Sequence, residues 1–295
     1  MLHKQHKILL ALLCLIIGQT TLTAQVLYEI SGNATNAKSY ILATNKLVDY
    51  SFLDTIPSVF KCYGRCDKVV TEFAMQDYEA LSALRQAALL PDSVRLKNFY
   101  TEQQYNDIDQ TLRITLGMGL DQLGRMKPSY LTEMYRTELM KRWLDYDEQR
   151  SMETFFEAIA AENNKPIYGL DNIGETMYML FDREPFHWQC SELLKVIQYP
   201  EREVQQERTI RNMYRYGRLA DIAYQIKGPD NQTSISYSDY QVYAKRNLVW
   251  VKRLRPYLQD GHTFITLNAN YLGGDDGLLN QLRKAGYRVR PVNRR

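Results

Sequence analysis

The chain has 295 residues, of which 45% are apolar, and it contains 15 glycines and 9 prolines. This composition excludes collagen-like, low-complexity and wholly disordered proteins, because those are richer in Gly and Pro or lack apolar groups to bury. Lys and Arg number 37 against 34 Asp and Glu, so charge alone does not direct the chain to nucleic acid.

Residues 1–24 have the pattern of a secretory signal peptide. Lys4 and Lys7 form a basic start, an apolar run covers 8–18, and a short polar stretch ends at Ala24. We expect cleavage after Ala24 and an exported protein, periplasmic or secreted; a retained anchor is the alternative. Later segments fall short of the roughly 20 apolar residues of a spanning helix, so no transmembrane segment is predicted in the mature chain.

The N-terminal part of the mature chain alternates as in α/β proteins. Residues 27–30 and 40–44 are strand candidates joined by a Gly- and Asn-containing turn, which predicts a hairpin. A helix is predicted to start near 55–57, and a buried strand around Val69 is predicted to end at Glu72. The end of such a strand is where α/β proteins usually form a site.

Apolar residues at three- and four-residue spacing predict helices over 78–90, 102–116, 129–144 and 152–162, so the middle of the chain is predicted to be helical, with an insertion from 77 to about 165. The fold class is therefore α/β (α+β): a mixed central sheet from the N- and C-terminal thirds with a large helical middle region, in one domain over 25–295. Further elements are predicted as strands at 167–170, 263–267 and 288–292, helices at 174–226, 239–258 and 277–285, and a polar loop at 227–238.

The mature chain would keep few metal-ligating side chains. Its cysteines are Cys62, Cys66 and Cys190, and its histidines are His187 and His262. Cys62 and Cys66 stand four apart in a predicted helix, which favours a buried thiol pair, although an exported protein could also oxidise one pair.

Five segments follow one another in an order that indicates a family. They are Ala-Thr-Asn-Lys at 43–46, Val-Val-Thr-Glu at 69–72, Gly-Leu-Asp-Asn at 169–172, Arg-Asn at 246–247 and Asn-Ala-Asn-Tyr at 268–271, before a glycine-rich tail at 272–287. Together they resemble the TraB/GumN family, which is related to the Tiki metalloproteases and to ChaN-like and erythromycin-esterase-like proteins.

The resemblance implies a metal site that this sequence has altered. Lys46 and Tyr271 stand where the family pattern has the histidines of two Gly-x-x-His motifs. Their reference pKa values, about 10.4 and about 10, leave neither side chain ordinarily free to ligate a metal near neutral pH. Relatives may use Mn or Co, but here we expect no tightly held metal and no other cofactor.

The same positions suggest what replaces the metal. As a hypothesis, the Lys46 ammonium pairs with Glu72 or Asp171, and Arg246 and Tyr271 donate further hydrogen bonds, because isolated buried carboxylates are costly. Each residue also has a plainer interpretation as a solvated lysine, a surface carboxylate, a surface-paired arginine or a packing tyrosine. The Gly-Gly-Asp-Asp-Gly run at 273–277 is predicted to be a structural turn, since its aspartates oppose an anion.

Two main functions follow. The first is a catalytically degenerate metallohydrolase, a pseudo-peptidase that acts in binding or regulation, with a peptide or protein ligand implied by the resemblance. The second is an active hydrolase in which Glu72 and Asp171 act as paired carboxylates, with or without a metal, and Arg246 or Lys46 stabilises the oxyanion. A structural envelope role is a third, and the oligomeric state stays open.

Overall fold

The computed structural model describes residues 25–33, 35–56, 58–74, 78–227 and 237–292. The predicted signal peptide, 1–24, lies outside the described residues, as does most of the predicted polar loop, 228–236. Within the described part of the chain, no helix is both long and apolar enough to cross a lipid bilayer.

The described residues form a mixed six-stranded sheet with the order β4–β3–β5–β2–β1–β6. Strand β1 pairs antiparallel with β2 and β6, whereas β2, β5, β3 and β4 run parallel to one another. The strands are β1 Leu27–Gly32, β2 Thr35–Thr44, β3 Lys68–Thr71, β4 Ile167–Gly169, β5 Thr263–Asn268 and β6 Tyr287–Pro291.

The sheet confirms the predicted fold class and adds one strand from the middle of the chain. Residues 263–267 of β5 are buried and mostly apolar, as expected of a parallel strand covered on both faces. Strand β4 comes from the middle third and forms one edge, so the sheet is not made only of the N- and C-terminal thirds.

Helices surround this sheet. Predicted helices 102–116 and 152–162 match α3 and α6; a capping box between Thr101 and Gln104 begins the first, and the Ser151 side chain caps the second. The helices are α1 Val59–Gly64, α2 Tyr78–Ala87, α3 Glu102–Leu116, α4 Leu120–Leu123, α5 Pro128–Leu144, α6 Met152–Glu162, α7 Ile173–Met177, α8 Phe186–Gln198, α9 Pro200–Arg215, α10 Leu219–Lys227, α11 Tyr237–Asp260 and α12 Leu278–Lys284.

The apolar side chains form two separate cores. The sheet core forms where α6 and α11 pack on the sheet, and it includes Phe156, Trp250 and Phe264. The cap core lies among α3, α4, α5 and α8, around Leu112 and Leu131. Although α6 falls inside the range predicted as a helical insertion, it packs on the sheet.

Two connections join the cap to the sheet. Leu47, which follows β2, packs into the cap core. Helix α9 contributes Val204 to the cap core and Tyr214 to the sheet core, where the Tyr214 hydroxyl donates to the carbonyl of Ala43 at 2.8 Å. The sheet and the cap therefore meet along a boundary that helix α9 crosses.

The described cysteines are free and buried. Cys66 lies just beyond the end of α1 rather than within it, and its thiol donates to the carbonyl of Cys62 at 3.3 Å. Burial raises the pKa of the Cys66 thiol to about 12, so it is not a reactive thiolate at neutral pH.

Candidate functional site

The candidate site lies at the edge of the sheet where the four parallel strands end. Lys46 follows β2, Glu72 follows β3, Asp171 follows β4, and Tyr271 lies in a short turn after β5. Because parallel strands end at one edge, their following residues meet there, and this edge is the usual position of an α/β site. The neighbouring helix α11 adds Arg246.

Arg246 and Asp171 form the centre of this edge. The Nε atom of Arg246 donates to Oδ2 of Asp171 at 2.7 Å, and Nη2 lies 2.5 Å from the same oxygen. Trp250 Nε1 donates to Oδ1 at 2.5 Å. The Asp171 side chain is only 3% exposed, so these donors compensate a carboxylate that solvent hardly reaches.

Glu72 is the second carboxylate on the same guanidinium. Its Oε2 lies 3.3 Å from Nη1 of Arg246, and its Oε1 accepts from the backbone N–H of Asn268 at 3.0 Å. Burial raises the pKa of Glu72 to about 7, with a further increase from the Glu153 and Asp171 carboxylates, although Arg246 acts to lower it. Glu72 therefore titrates near neutral pH.

Aromatic rings hold the guanidinium in place. The Nη1 atom of Arg246 donates to the Tyr271 hydroxyl. The Arg246 Cζ atom also lies 4.3 Å from the ring centroid of Trp250 and 4.8 Å from that of Tyr271, which are cation–π distances. Burial holds the pKa of Tyr271 well above its ordinary value, so the phenol stays neutral. We call Arg246, Asp171, Glu72, Tyr271 and Trp250 the Arg246 centre.

A second arginine of α11 fixes the segment that carries Asp171. Arg253 binds Glu175 through two nitrogens, at 2.6 and 2.7 Å, and donates to the carbonyl of Leu170 at 2.7 Å. Its Nη1 also lies 3.6 Å from Oδ1 of Asp171. Arg246, Trp250 and Arg253 follow one another at helical spacing, so one face of α11 supplies all three side chains.

Lys46 does not join this centre, which corrects the predicted pairing with Glu72 or Asp171. Its ammonium lies 3.7 Å from Oε2 of Glu133, on the cap helix α5, and this is its ion pair among the described residues. In the sheet order, β2 is three strand spacings from β4, roughly 14 Å, and two from β3. The order of the strands thus separates the ammonium from both carboxylates.

The surroundings of Lys46 are acidic on both sides of the boundary between sheet and cap. Glu133 foremost, and then Glu207 and Glu153, raise the pKa of Lys46 against the effect of burial. Although burial raises it, Lys46 and Arg136 lower the pKa of Glu133 to about 2, whereas burial raises the pKa of Glu207. We call Lys46, Glu133, Glu207 and Glu153 the Lys46 cluster.

Asn268 connects the two groups. Its side-chain amide donates to Oε1 of Glu153 at 2.7 Å, while its backbone N–H donates to Glu72. Burial raises the pKa of Glu153, and Asn268 and Lys46 lower it. The Arg246 centre and the Lys46 cluster are therefore neighbouring parts of one polar edge.

The donor set does not fit the divalent metal that the resemblance implies. Arg246 contacts both carboxylates and the Tyr271 phenol, and a charged guanidinium and a neutral phenol offer no suitable lone pair. Within the described ranges, no three His, Cys, Asp or Glu side chains are grouped around one possible metal position. No step through a metal follows from these residues.

Sequence reasoning identified four residues that the fold brings together and missed several of their partners. Glu72, Asp171, Arg246 and Tyr271 converge, and Lys46 lies further along the same edge. The helical spacing from Arg246 could have indicated two missed partners, whereas those on the cap and α6 gave no comparable signal. The missed residues are Trp250, Arg253, Glu153, Asn268, Glu133 and Glu207.

Comparison with known proteins agrees with the motif order. The model of the TraB/PrgY/gumN family matches residues 26–291, which is nearly the whole chain and includes every residue of the Arg246 centre. Neither the curated proteins nor the solved structures contain a match. The family match confirms the resemblance found in the sequence, and the chain belongs to the TraB/PrgY/gumN family.

Proposed function

We propose that this chain is an exported, catalytically degenerate member of its family, which binds a peptide segment at the boundary between sheet and cap without cleaving it. The observation that carries the proposal is the position of Arg246. Its guanidinium bonds Asp171, Glu72 and the Tyr271 hydroxyl at once, so the protein's own cation neutralises the carboxylates. Export follows from the predicted signal peptide.

The charge state of the edge supports binding rather than metal-dependent hydrolysis. Tyr271 stays a neutral phenol and Lys46 stays an ammonium at neutral pH, so neither supplies the lone pair of the histidine it replaces. Asp171 already accepts from Arg246 and Trp250, so its oxygens are engaged. The boundary between sheet and cap presents charged and hydrogen-bonding groups to a ligand.

A peptide is the ligand class that the family resemblance favours, and this boundary has suitable chemistry. Glu133 and Lys46 are 48% and 43% exposed, so both reach solvent and are available to a ligand's polar groups. Peptide amides, amines and carboxylates can all be recognised by such groups.

A second candidate function rests on Glu72. A carboxylate with a pKa of about 7 and 27% exposure has the protonation range of a general base. In this alternative Glu72 takes a proton from water, and the neighbouring Arg246 stabilises the developing oxyanion. This alternative needs no metal.

A peptide-library assay with purified mature protein separates the two. We expect retained peptides and no cleavage products, with the same result after treatment with chelator and after addition of Mn or Co. Turnover that Glu72→Gln abolishes and the surface control Glu138→Gln retains would establish the hydrolase instead. Stoichiometric transition metal in elemental analysis would contradict the degenerate site, and N-terminal sequencing of exported protein tests cleavage after Ala24.

A further inference from the structure

A small cavity adjoins the Arg246 centre at Tyr271. It lies between α10, α11 and the loop that follows β5, and its volume is about 240 Å³ counted out to its open mouth. Tyr271 belongs to both the cavity wall and the Arg246 centre. The lining residues are Ala223, Ile226, Tyr243, Ala244, Asn247, Asn270, Tyr271, Gly273, Asp276 and Gly277.

Asn247 is the most buried polar residue of this wall. Its side-chain nitrogen donates to the carbonyls of Tyr271 and Asp276, both at 2.9 Å, which fixes the orientation of the amide. Asn247 is only 2% exposed, and its other amide atom, Oδ1, is buried and accepts from no donor among the described residues. A buried acceptor without a donor is costly, so this oxygen needs a partner.

Asn270 repeats the same feature from the loop. Its backbone N–H donates to Oδ1 of Asn268 at 3.0 Å, which holds the turn. Its own Oδ1 is likewise buried and lacks a donor in the described part of the chain. Two residues of the cavity lining thus each carry a buried amide oxygen that lacks a donor among the described residues.

The remaining wall favours a small cation as that donor. Tyr243 and Tyr271 pack edge to face at 4.8 Å, and aromatic rings attract ammonium groups. Asp276 adds an acidic residue, and the lining residues that the structure describes include no Lys or Arg. The enclosed part admits a group the size of one water molecule, which suits –NH₃⁺ and excludes a guanidinium or a quaternary ammonium.

The glycines explain why the wall is so close to the helices. A Cβ on Gly273 would collide with the backbone carbonyl of Leu219 at the start of α10, and one on Gly277 would collide with the carbonyl of Gly273. The loop is therefore pressed against α10 and folded on itself. The glycine-rich run at 273–277 is a turn, as predicted, and it also forms one side of the cavity.

We propose that this cavity binds a protonated primary amine of the peptide ligand, with Asn247 and Asn270 as acceptors. The claim that the ligand is a peptide rests on the proposed function, whereas the claim that the cavity binds an amine rests on the cavity alone. The α-amine of a peptide N-terminus and the ε-amine of a lysine share this chemistry. The site assigns the Asn247 amide a role in addition to holding the loop.

Three model peptides and four variants test the inference. Ala-Leu-Phe-amide carries only an α-amine, acetyl-Ala-Leu-Lys-amide only an ε-amine, and acetyl-Ala-Leu-Phe-amide neither; calorimetry measures their Kd. Asn270→Leu removes an acceptor, Ala244→Leu fills the cavity, and Asn270→Asp adds a negative charge. Asn106→Leu, on an exposed position of α3, is the control, and melting temperatures verify that each variant folds.

We expect at least one amine-bearing peptide to bind about tenfold more tightly than the acetylated peptide without an amine. This advantage should disappear in Asn270→Leu and Ala244→Leu, increase in Asn270→Asp, and persist in Asn106→Leu. The peptide that shows it identifies the source of the amine.

The other outcomes separate the inference from the proposed function. Equal binding of all three peptides would overturn the amine site and keep peptide binding. Without peptide binding, methylammonium but not tetramethylammonium should still raise the melting temperature of the wild type and not of Asn270→Leu, which would support the amine site alone. If no amine has any effect, the cavity holds water and the inference is wrong.

Discussion

The Arg246 centre and the Lys46 cluster lie on the same edge of the sheet but balance their charges differently. In the centre, Arg246 is 12% exposed, Asp171 is 3% exposed, and their contacts are 2.5 to 2.7 Å long. In the cluster, Lys46 and Glu133 are 43% and 48% exposed and 3.7 Å apart. The side chains of the first group contact one another and are largely shielded from solvent, whereas solvent reaches the second group.

The difference follows from which elements supply the side chains. The centre is built from strand ends and one face of α11, which share the sheet core and fix the geometry. The cluster joins the sheet to the cap across their boundary, and each layer has its own core. Removing one partner of an ion pair in the centre should therefore lower stability much more than removing one in the cluster.

The largest effect is expected from Arg246→Met. This change leaves Asp171 and Glu72 without their shared cation in a site with little solvent, so we expect a loss of about 3–5 kcal/mol in the free energy of unfolding. Urea denaturation near neutral pH measures it. Arg218→Met is the matched control, because Arg218 pairs with Asp221 at an exposed position and should change stability by about 1 kcal/mol or less. Equal losses would contradict the distinction.

Glu72→Gln should act in the opposite direction. The pKa of Glu72 is raised from 4.5 to about 7 in the folded protein, so the contribution of Glu72 to stability is fully present below pH 4.5 and is lost as the pH rises through about 7. Glu72→Gln removes this ionisable group, so the free energy of unfolding should fall less between pH 4.5 and 7. Above pH 7 the variant should be more stable than the wild type by up to about 3 kcal/mol. Denaturation across this pH window measures the effect. If the free energy of unfolding of Glu72→Gln changed with pH as it does in the wild type, the pKa of Glu72 would not be raised by folding.

The smallest effect is expected from Lys46→Met. Because Lys46 and Glu133 are well exposed, solvent screens the pair, and the loss near neutral pH should be about 1 kcal/mol or less. Removing the ammonium also raises the pKa values of nearby carboxylates, so the stability of the variant should fall more steeply with rising pH. Lys141→Met is the control, since Lys141 pairs with Glu138 on an exposed helix face.

A loss from Lys46→Met as large as that from Arg246→Met would reverse the comparison. It would mean that Lys46 neutralises deeply buried carboxylates, as the sequence alone suggested for Glu72 and Asp171. The same unfolding experiments therefore test the corrected pairing directly.

Local pattern predicted most of the elements and the place of the site. Apolar residues at three- and four-residue spacing predicted helices over 102–116 and 152–162, and α3 and α6 span those residues. The buried run before Glu72 located a strand end, and strand ends are where α/β folds place polar side chains. These features depend on neighbours a few residues apart, so one sequence is enough to read them.

Which charged side chains pair with each other could not be predicted from local sequence in the same way. Lys46 and Glu72 are close in the chain and seemed suited to each other, but β5 lies between their strands and places them apart. Glu133 and Glu207 reach Lys46 only because the cap folds over the sheet. The unpartnered oxygens of Asn247 and Asn270 are equally a result of how α11 meets the loop after β5.

The sequence by itself determined the family, the mixed fold and four of the side chains that meet at the edge of the sheet, because these depend on motif order, periodicity and strand ends. The tertiary structure alone decided that Arg246, rather than Lys46, neutralises Asp171 and Glu72. Coulomb interactions depend on distance and burial, and the order of the strands and the closure of the cap set both.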